Sequence, residues 1–489
     1  MGYQRSKLSV AGCYCLGNRG KSAIRYPRVK ILFWWAGVFL VGVLLAGCRA
    51  TAAQDLLATA SVINPSSSPT ISPYPVQPSS TPDPPTTIPA TYTPVPPTPS
   101  PSPSPTIPWP PERWLFPDSE VVFSPSALHF DVGKYLNRAG GFLSTYRQYL
   151  MLTGWSSGAD VVTMVALENS INPRLLLALL EYQSGCVRGQ VDDPGEFNYA
   201  MGATQARRPD LYGQLVWVVH ELSEGYYGWR NDTLTEFSFA DGTIMQPLPD
   251  SNAGTVALQY LFSRLYEPED FESVFSEDGG FLGLYADMFD DPWERAVVVE
   301  PLVPPEVEQP LLTLPFGPGL AWAYTGGPHQ AFESNGPLAA LDFAPPTSET
   351  GCYQSENWVL AMADGLVVRS GFGVVVQDLD DDGYEQTGWA LMYLHIEERD
   401  RVPLGTFLQA GDPVGHPSCE GGRATGTHVH ITRKYNGEWI EADGEIPFVM
   451  DGWTAHAGEA PYLGTLIRNG EVITAHRYGS FISRISRDE

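Results

Sequence analysis

Seven of the nine histidines in this 489-residue chain lie after Pro301, and several stand in patterns that can do chemistry. The run Gly426-Thr427-His428-Val429-His430-Ile431 reads as a strand. Side chains two apart on a strand share a face, so His428 and His430 point the same way while Val429 and Ile431 pack behind them. Two imidazoles on one face either bind one metal or divide the roles of ligand and base. His-x-His also arises by chance, but here it has company. His329 follows the turn Gly326-Gly327-Pro328, Asp342 stands thirteen residues later within Leu341-Asp342-Phe343, and His395 closes the apolar run Tyr393-Leu394. Four histidines and one carboxylate in turn-flanked β contexts are the inventory of a catalytic zinc site, which takes three protein ligands and keeps a fourth position for water. Imidazole and carboxylate suffice as ligands, which frees Cys352 and Cys419 for another task. The competing reading, a closed structural site, uses four ligands and often thiolates.

These residues, in order and across about residues 310–460, resemble the lysostaphin-type zinc endopeptidases, which carry a His…Asp pair, a later His after an apolar strand and a final His-x-His. The resemblance implies zinc ligands His329, Asp342 and His430, and catalytic histidines His395 and His428. The long His329–Asp342 spacing departs from members with His-x-x-x-Asp and looks like the staphylolytic-protease branch, where a longer loop separates the two. Gly411-Asp412-Pro413-Val414-Gly415 fits the family's turn ahead of the His-x-His. The implied fold is a small antiparallel β sandwich of the duplicated-hybrid-motif type, with the site in a groove between loops. The implied substrate is the peptide crosslinks of bacterial peptidoglycan. Zinc lowers the pKa of a bound water to about 7 and polarises a carbonyl. Beside it, His428 is expected to take the water's proton, and His395 to steady the oxyanion or protonate the leaving amine. Inactive relatives typically lack ligands, and this chain keeps all five residues. The alternative is a non-catalytic wall-binding or scaffold lipoprotein. The absence of His-Glu-x-x-His disfavours the helix-based zincins.

The elements that must position these residues divide the chain into a multidomain α+β protein. After residue 301, runs such as Gly365-Leu366-Val367-Val368-Arg369 and Gly373-Val374-Val375-Val376-Gln377 alternate with Gly and Pro turns, which predicts an antiparallel β domain over 301–489. Residues 113–300 read mainly helical. Asp160 to Glu168 and Pro173 to Tyr182 are apolar at helical spacing, with Asn172 as N-cap, Pro173 in the first turn and Gly185 as the stop. The segment Asn172 to Gly185 resembles the catalytic helix of lytic transglycosylases and lysozyme-like proteins, and Tyr199-Ala200-Met201-Gly202-Ala203-Thr204-Gln205 looks like their second motif. Gln183, however, stands where that family has its acid, and an amide cannot protonate a glycosidic oxygen. Glu181 is two residues away, on a different helix face. The expectation is an inactive lysozyme-like domain that either holds glycan or serves as a helical spacer. His129 and His220 stand alone, and His416 and His456 match no family position; all four read as packing or surface residues.

Residues 1–47 carry seven of the 29 Lys and Arg and no acid, leaving 22 against all 56 acidic residues, a net of −34. That balance lacks the clustered cations of a nucleic-acid binder. Arg25, Arg28 and Lys30 precede the apolar run Ile31 to Gly47, which ends in Leu45-Ala46-Gly47-Cys48 and resembles a lipoprotein signal with Cys48 as the lipidated residue. An uncleaved membrane anchor is the alternative; either places the remainder outside the membrane. Residues 48–112 are predicted to be a disordered stalk, rich in Pro, Ser and Thr from Asn64 to Pro111. At roughly 3.1 Å per residue it reaches on the order of 100 Å. In an exported protein Cys352 and Cys419, in loops flanking the site, are candidates for a disulfide, with Cys186 as an alternative partner. Asp378-Leu379-Asp380-Asp381-Asp382-Gly383 resembles the start of a calcium loop, with Asp378, Asp380 and Asp382 as ligands, but its twelfth position is Trp389 rather than Glu. The alternative is a solvated acidic hairpin tip. Oligomeric state is not legible.

Overall fold

The structure, a computed structural model, describes residues 114–191, 195 and 197–488. The signal segment 1–47, Cys48 and the stalk 48–112 lie outside the described residues.

The helices begin and end where capping chemistry permits. In α1 (Gly158–Asn169), Ser157 and Asp160 form a reciprocal capping box. In α2 (Pro173–Ser184), Asn172 accepts from the Arg174 N–H, Pro173 occupies the first turn, and Gly185 turns left-handed at φ 61° to end it. The longest, α3 (Leu211–Arg230), is capped by Asp210, which accepts from the Gly213 N–H. A fourth, α4 (Ala253–Ser263), packs against α3. Gly225 of α3 permits this crossing, because a Cβ there would stand 2.9 Å from the Ala257 backbone. Both helices expected from the sequence form, each slightly longer than its apolar pattern.

Nine antiparallel strands make the main sheet: β1 (Ala321–Phe332), β2 (Asn335–Ala344), β3 (Gly365–Gly371), β4 (Val374–Asp378), β5 (Trp389–Leu394), β6 (Phe407–Leu408), β7 (Val429–Tyr435), β8 (Glu438–Trp439) and β9 (Arg484–Ser486). Their order is β6-β3-β4-β5-β7-β2-β1-β9, with β8 paired to β7. Alternation along the strands divides their apolar residues between two cores. Leu341 and Phe343 of β2, Val375 of β4, Leu391 and Tyr393 of β5 and Ile431 of β7 join a core with Phe316, Met362, Phe448 and Trp453. Val374 and Val376 of β4 and Ala390, Met392 and Leu394 of β5 join the core of the helices instead.

The helices precede the main sheet, in the order expected of a helical domain followed by a β sandwich. The last α-helix, Pro292–Val299, ends at the expected boundary, but the described residues on both sides of it belong to one compact unit. Polar contacts fasten the two parts. The Asn335 side-chain amide donates to Asn169 Oδ1 at 2.6 Å, His220 Nδ1 lies 3.1 Å from Asn335 Oδ1, and the Arg230 guanidinium donates to Glu438 at 2.7 Å. His220, a lone histidine in the sequence, thus braces the turn of the β1–β2 hairpin.

A buried ion cluster lies within the sheet. Glu385 accepts from Arg369 Nε at 2.8 Å and from the Lys434 ammonium, which is itself buried. Burial pushes the Glu385 carboxyl up, but the two cations outweigh it and bring it down to about 2. Its folded value is therefore depressed, so its stabilisation is present above the unfolded value near 4.5 and is lost as pH falls toward 2. Glu385→Gln should cost roughly 3–5 kcal/mol at pH 7, because two cations lose their partner. In paired denaturation curves, the gap between wild type and variant should narrow as pH falls from about 5 to 2; a gap constant over that range would reject the assignment.

Candidate metal centre

The twelve residues between His329 and Asp342 form a hairpin turn and its flanking strands. β1 and β2 meet at the two-residue turn Glu333-Ser334, near the midpoint of that spacing. His329 pairs with Ala340, two residues from Asp342 on the same face, and Gly326 pairs with Asp342 directly. Gly326 has to be small: a Cβ would lie 2.5 Å from the Asp342 carboxylate. On the other side of β2, β7 sets His430 opposite Asp342. His395 follows the last residue of β5 in a left-handed conformation, φ 67°, and His428 precedes β7. All five residues singled out from the sequence converge on one place.

The polar atoms are close and have a single sense. Asp342 Oδ1 lies 3.3 Å from His329 Nε2, 3.3 Å from His430 Nδ1 and 3.6 Å from His428 Nε2. His329 Nε2 and His430 Nδ1 are 3.1 Å apart. On every imidazole the other nitrogen faces a backbone carbonyl: His329 Nδ1 faces Gly327 at 2.8 Å, His395 Nδ1 faces Glu420 at 2.7 Å, His428 Nδ1 faces Gly426 at 2.7 Å and His430 Nε2 faces Ala331 at 3.0 Å. Carbonyls only accept, so each of these nitrogens is the N–H donor. Neutral rings then turn lone pairs toward one another and toward the carboxylate. Asp342 Oδ1 is buried with no hydrogen-bond partner among the described residues.

Such a centre demands positive charge, either as protons on the inward nitrogens or as a metal ion. Asp342 titrates well below the usual carboxylate range: burial opposes this, but the His329 and His428 imidazoles and contacts from His329 and His430 prevail. Burial works against protonating two of the imidazoles. It lowers His430, and with His428 and His430 it pushes His395 down to about 3. The donor set therefore fits a metal. His329, Asp342 and His430 offer three ligand atoms within 4.8 Å of one another, the number a catalytic zinc uses.

Flanking loops fix the rim. Cys352 and Cys419 form a disulfide, while Cys186 is an unpaired thiol that burial pushes up to about 12. The Cys186 pairings are thereby set aside. Tyr462 stacks on the His329 ring at 4.1 Å between centroids. It was missed from the sequence and gives no local signal, since it sits in a loop 133 residues away. His416 packs inside against Trp358, 4.0 Å between ring centroids. Asp378, Asp380 and Asp382 do come together, but Asp378 accepts the Asp380 and Gly383 N–H groups and Asp382 accepts that of Tyr384. That is the wiring of an acidic turn between β4 and β5, and nothing beyond the juxtaposition supports calcium. In the helical part, Glu181 is occupied by the Val187 and Arg188 N–H groups. Gln183 accepts from the Tyr266 hydroxyl at 3.4 Å and lies against Gly202 of the second motif.

Residues 114–304 match the family described as LasA, N-terminal domain, over the same stretch that the sequence likened to lysozyme-like proteins. Protease LasA of Pseudomonas aeruginosa is 26% identical over 349 residues, 67% of this chain and 75% of LasA. The chain is a homologue of LasA. Beta-lytic metalloendopeptidase of Lysobacter enzymogenes is 29% identical over 136 residues, 27% of this chain and 74% of that protein. Among solved structures, the deep-sea M23 metalloprotease pseudoalterin is 24% identical, aligning 37% of this chain with 99% of its own at a TM-score of 0.30. The 349-residue likeness to LasA is longer than the stretch 114–304 that matches the LasA N-terminal family.

One bound metal per chain is expected. Because a ligand that binds only the folded state stabilises it, chelation should lower the Tm. Asp342→Asn should hold less than about a tenth of the wild-type metal by plasma mass spectrometry, since an amide is a poor substitute for a carboxylate ligand. Full occupancy in that variant would remove Asp342 from the ligand set.

Proposed function

We propose that this protein is a zinc-dependent endopeptidase that hydrolyses peptide crosslinks of bacterial peptidoglycan. The observation that carries the reading is the convergence of three ligand atoms with two further imidazoles, all four rings held by backbone carbonyls. A zinc ion held by His329, Asp342 and His430 would supply the Lewis acidity that activates water and polarises the scissile carbonyl.

The chain's own residues supply the proton transfers. His428 has its Nδ1–H committed to the Gly426 carbonyl, so Nε2 is the atom that accepts the proton of the attacking water. His395 has its Nδ1–H committed to the Glu420 carbonyl, and burial keeps it neutral well below pH 7. Its Nε2 begins as an acceptor, and it can donate to an oxyanion or a leaving amine only after receiving a proton. The two rings are 4.5 Å apart between centroids, close enough to share that traffic.

The wall substrate rests on the resemblance to lysostaphin-type enzymes and on the relatives' names as proteases. We place the protein outside the cytoplasm, lipidated at Cys48 on a Pro-rich stalk, with the helical part as a candidate glycan holder.

Digestion of defined, crosslinked muropeptides by the full chain, with and without chelator, tests the reading. Cleavage should stop on chelation and return with zinc; cleavage that survives chelation, or none by the zinc-loaded protein, would reject it. His430→Ala should lose both zinc and activity. His428→Ala should keep zinc and lose activity by about 10²–10⁴-fold, and a zinc-free His428→Ala would exchange the two assignments.

A further inference from the structure

The turn that joins the two ligand strands holds a residue in an unfavourable conformation. Glu333 has φ 55°, in the left-handed region where Gly or Asn would be at ease. A strained, non-glycine residue persists where its side chain has a task. The task is visible. The Glu333 carboxylate leaves the turn and accepts the Arg423 N–H at 2.8 Å, with the Arg423 guanidinium 3.4 Å away. The turn is thereby tied to the Glu420–Arg423 loop, which belongs to neither ligand strand.

That loop holds a proton position. The Glu420 carbonyl is the acceptor for His395 Nδ1. Gly421 and Gly422 let the loop close down: a Cβ on Gly421 would stand 2.7 Å from the Phe372 carbonyl oxygen, and one on Gly422 would stand 2.9 Å from Glu333 Oε1 and 3.6 Å from the His395 ring. Glu333 and His395 thus flank the same glycine. At its other end the loop is held by Cys419, bonded to Cys352, and by Ser418, whose N–H donates to the His395 carbonyl at 2.7 Å. Without Glu333, nothing described ties the Gly421–Arg423 side of the loop to the ligand hairpin.

We propose that Glu333 is a positioning residue: it pins the Glu420–Arg423 loop to the ligand hairpin, so that the Glu420 carbonyl keeps the proton of His395 on Nδ1 and leaves Nε2 facing the reacting groups. This rests on the peptidase reading for its kinetic consequence but not for its geometry.

The decisive variant is Glu333→Gly in the full chain. Glycine is favoured at this backbone conformation, so a residue that merely shaped the turn would be replaced without loss. We expect a Tm equal to or above wild type, unchanged zinc content, KM within about twofold and kcat down on the order of 10- to 100-fold. Glu333→Gln should recover most of the rate, because its amide oxygen still accepts from Arg423. Gly422→Ala, whose added Cβ would crowd the Glu333 carboxylate and displace the loop while residue 333 stays unchanged, should repeat the kcat loss. Independently of any substrate, long-range proton–nitrogen NMR on histidine-labelled protein should show a single Nδ1–H tautomer at His395 in the wild type and a mixture in Glu333→Gly. Wild-type kcat with an unchanged tautomer in Glu333→Gly would overturn the proposal, as would loss of zinc or Tm in parallel with activity. Should the wild type cleave no muropeptide, the peptidase reading fails, and the tautomer still decides the role of Glu333.

Discussion

The antiparallel register of β2 against β7 sets Asp342 opposite His430 in the interior of the protein. A buried carboxylate without compensating positive charge is untenable, and the groups around it are arranged so that a cation could be held beside it. The hairpin brings His329 from one side and β7 brings His430 from the other. Each ring is then held from behind by a main-chain carbonyl, which fixes the nitrogen that faces inward. Shifting either pairing by one residue would turn the ligands to the opposite face of the sheet. The centre is in this sense a property of the register, and the side chains only complete it.

Register in turn depends on both faces of the sheet being core. Leu394 is the cross-strand partner of both His430 and Val374, and it belongs to the same apolar cluster as the helices. The helical part therefore covers the face of the sheet on which the ligands stand. Its Asn169 and His220 reach the Asn335 side chain at the hairpin turn, a few residues from His329 in one direction and Asp342 in the other.

Much of the site was legible in the sequence because strands encode it with a period of two. His428 and His430 needed only that period, and Tyr393-Leu394-His395 announced a residue at a strand end. The His329–Asp342 pair was legible by likeness alone, although its midpoint at Glu333-Ser334-Asn335-Gly336 has turn chemistry that marks a hairpin. Tyr462 was invisible, since a ring that stacks on a ligand from a distant loop leaves no periodic trace. The shared core was missed for a related reason. A strand buried on both faces, such as Val374-Val375-Val376, reads as a continuous apolar run, and the run does not say that helices from another part of the chain cover one side.

The double-faced sheet also has a thermodynamic consequence. Parts of a chain melt separately when few apolar contacts cross between them. Here β4 and β5 contribute alternate residues to two cores at once, so neither core can open without exposing the other side of the same strands. The helices and the sheet should accordingly behave as one cooperative unit on heating, and a loss of packing beneath α3 would be felt at the hairpin as a change in the free energy of the whole fold rather than as local fraying.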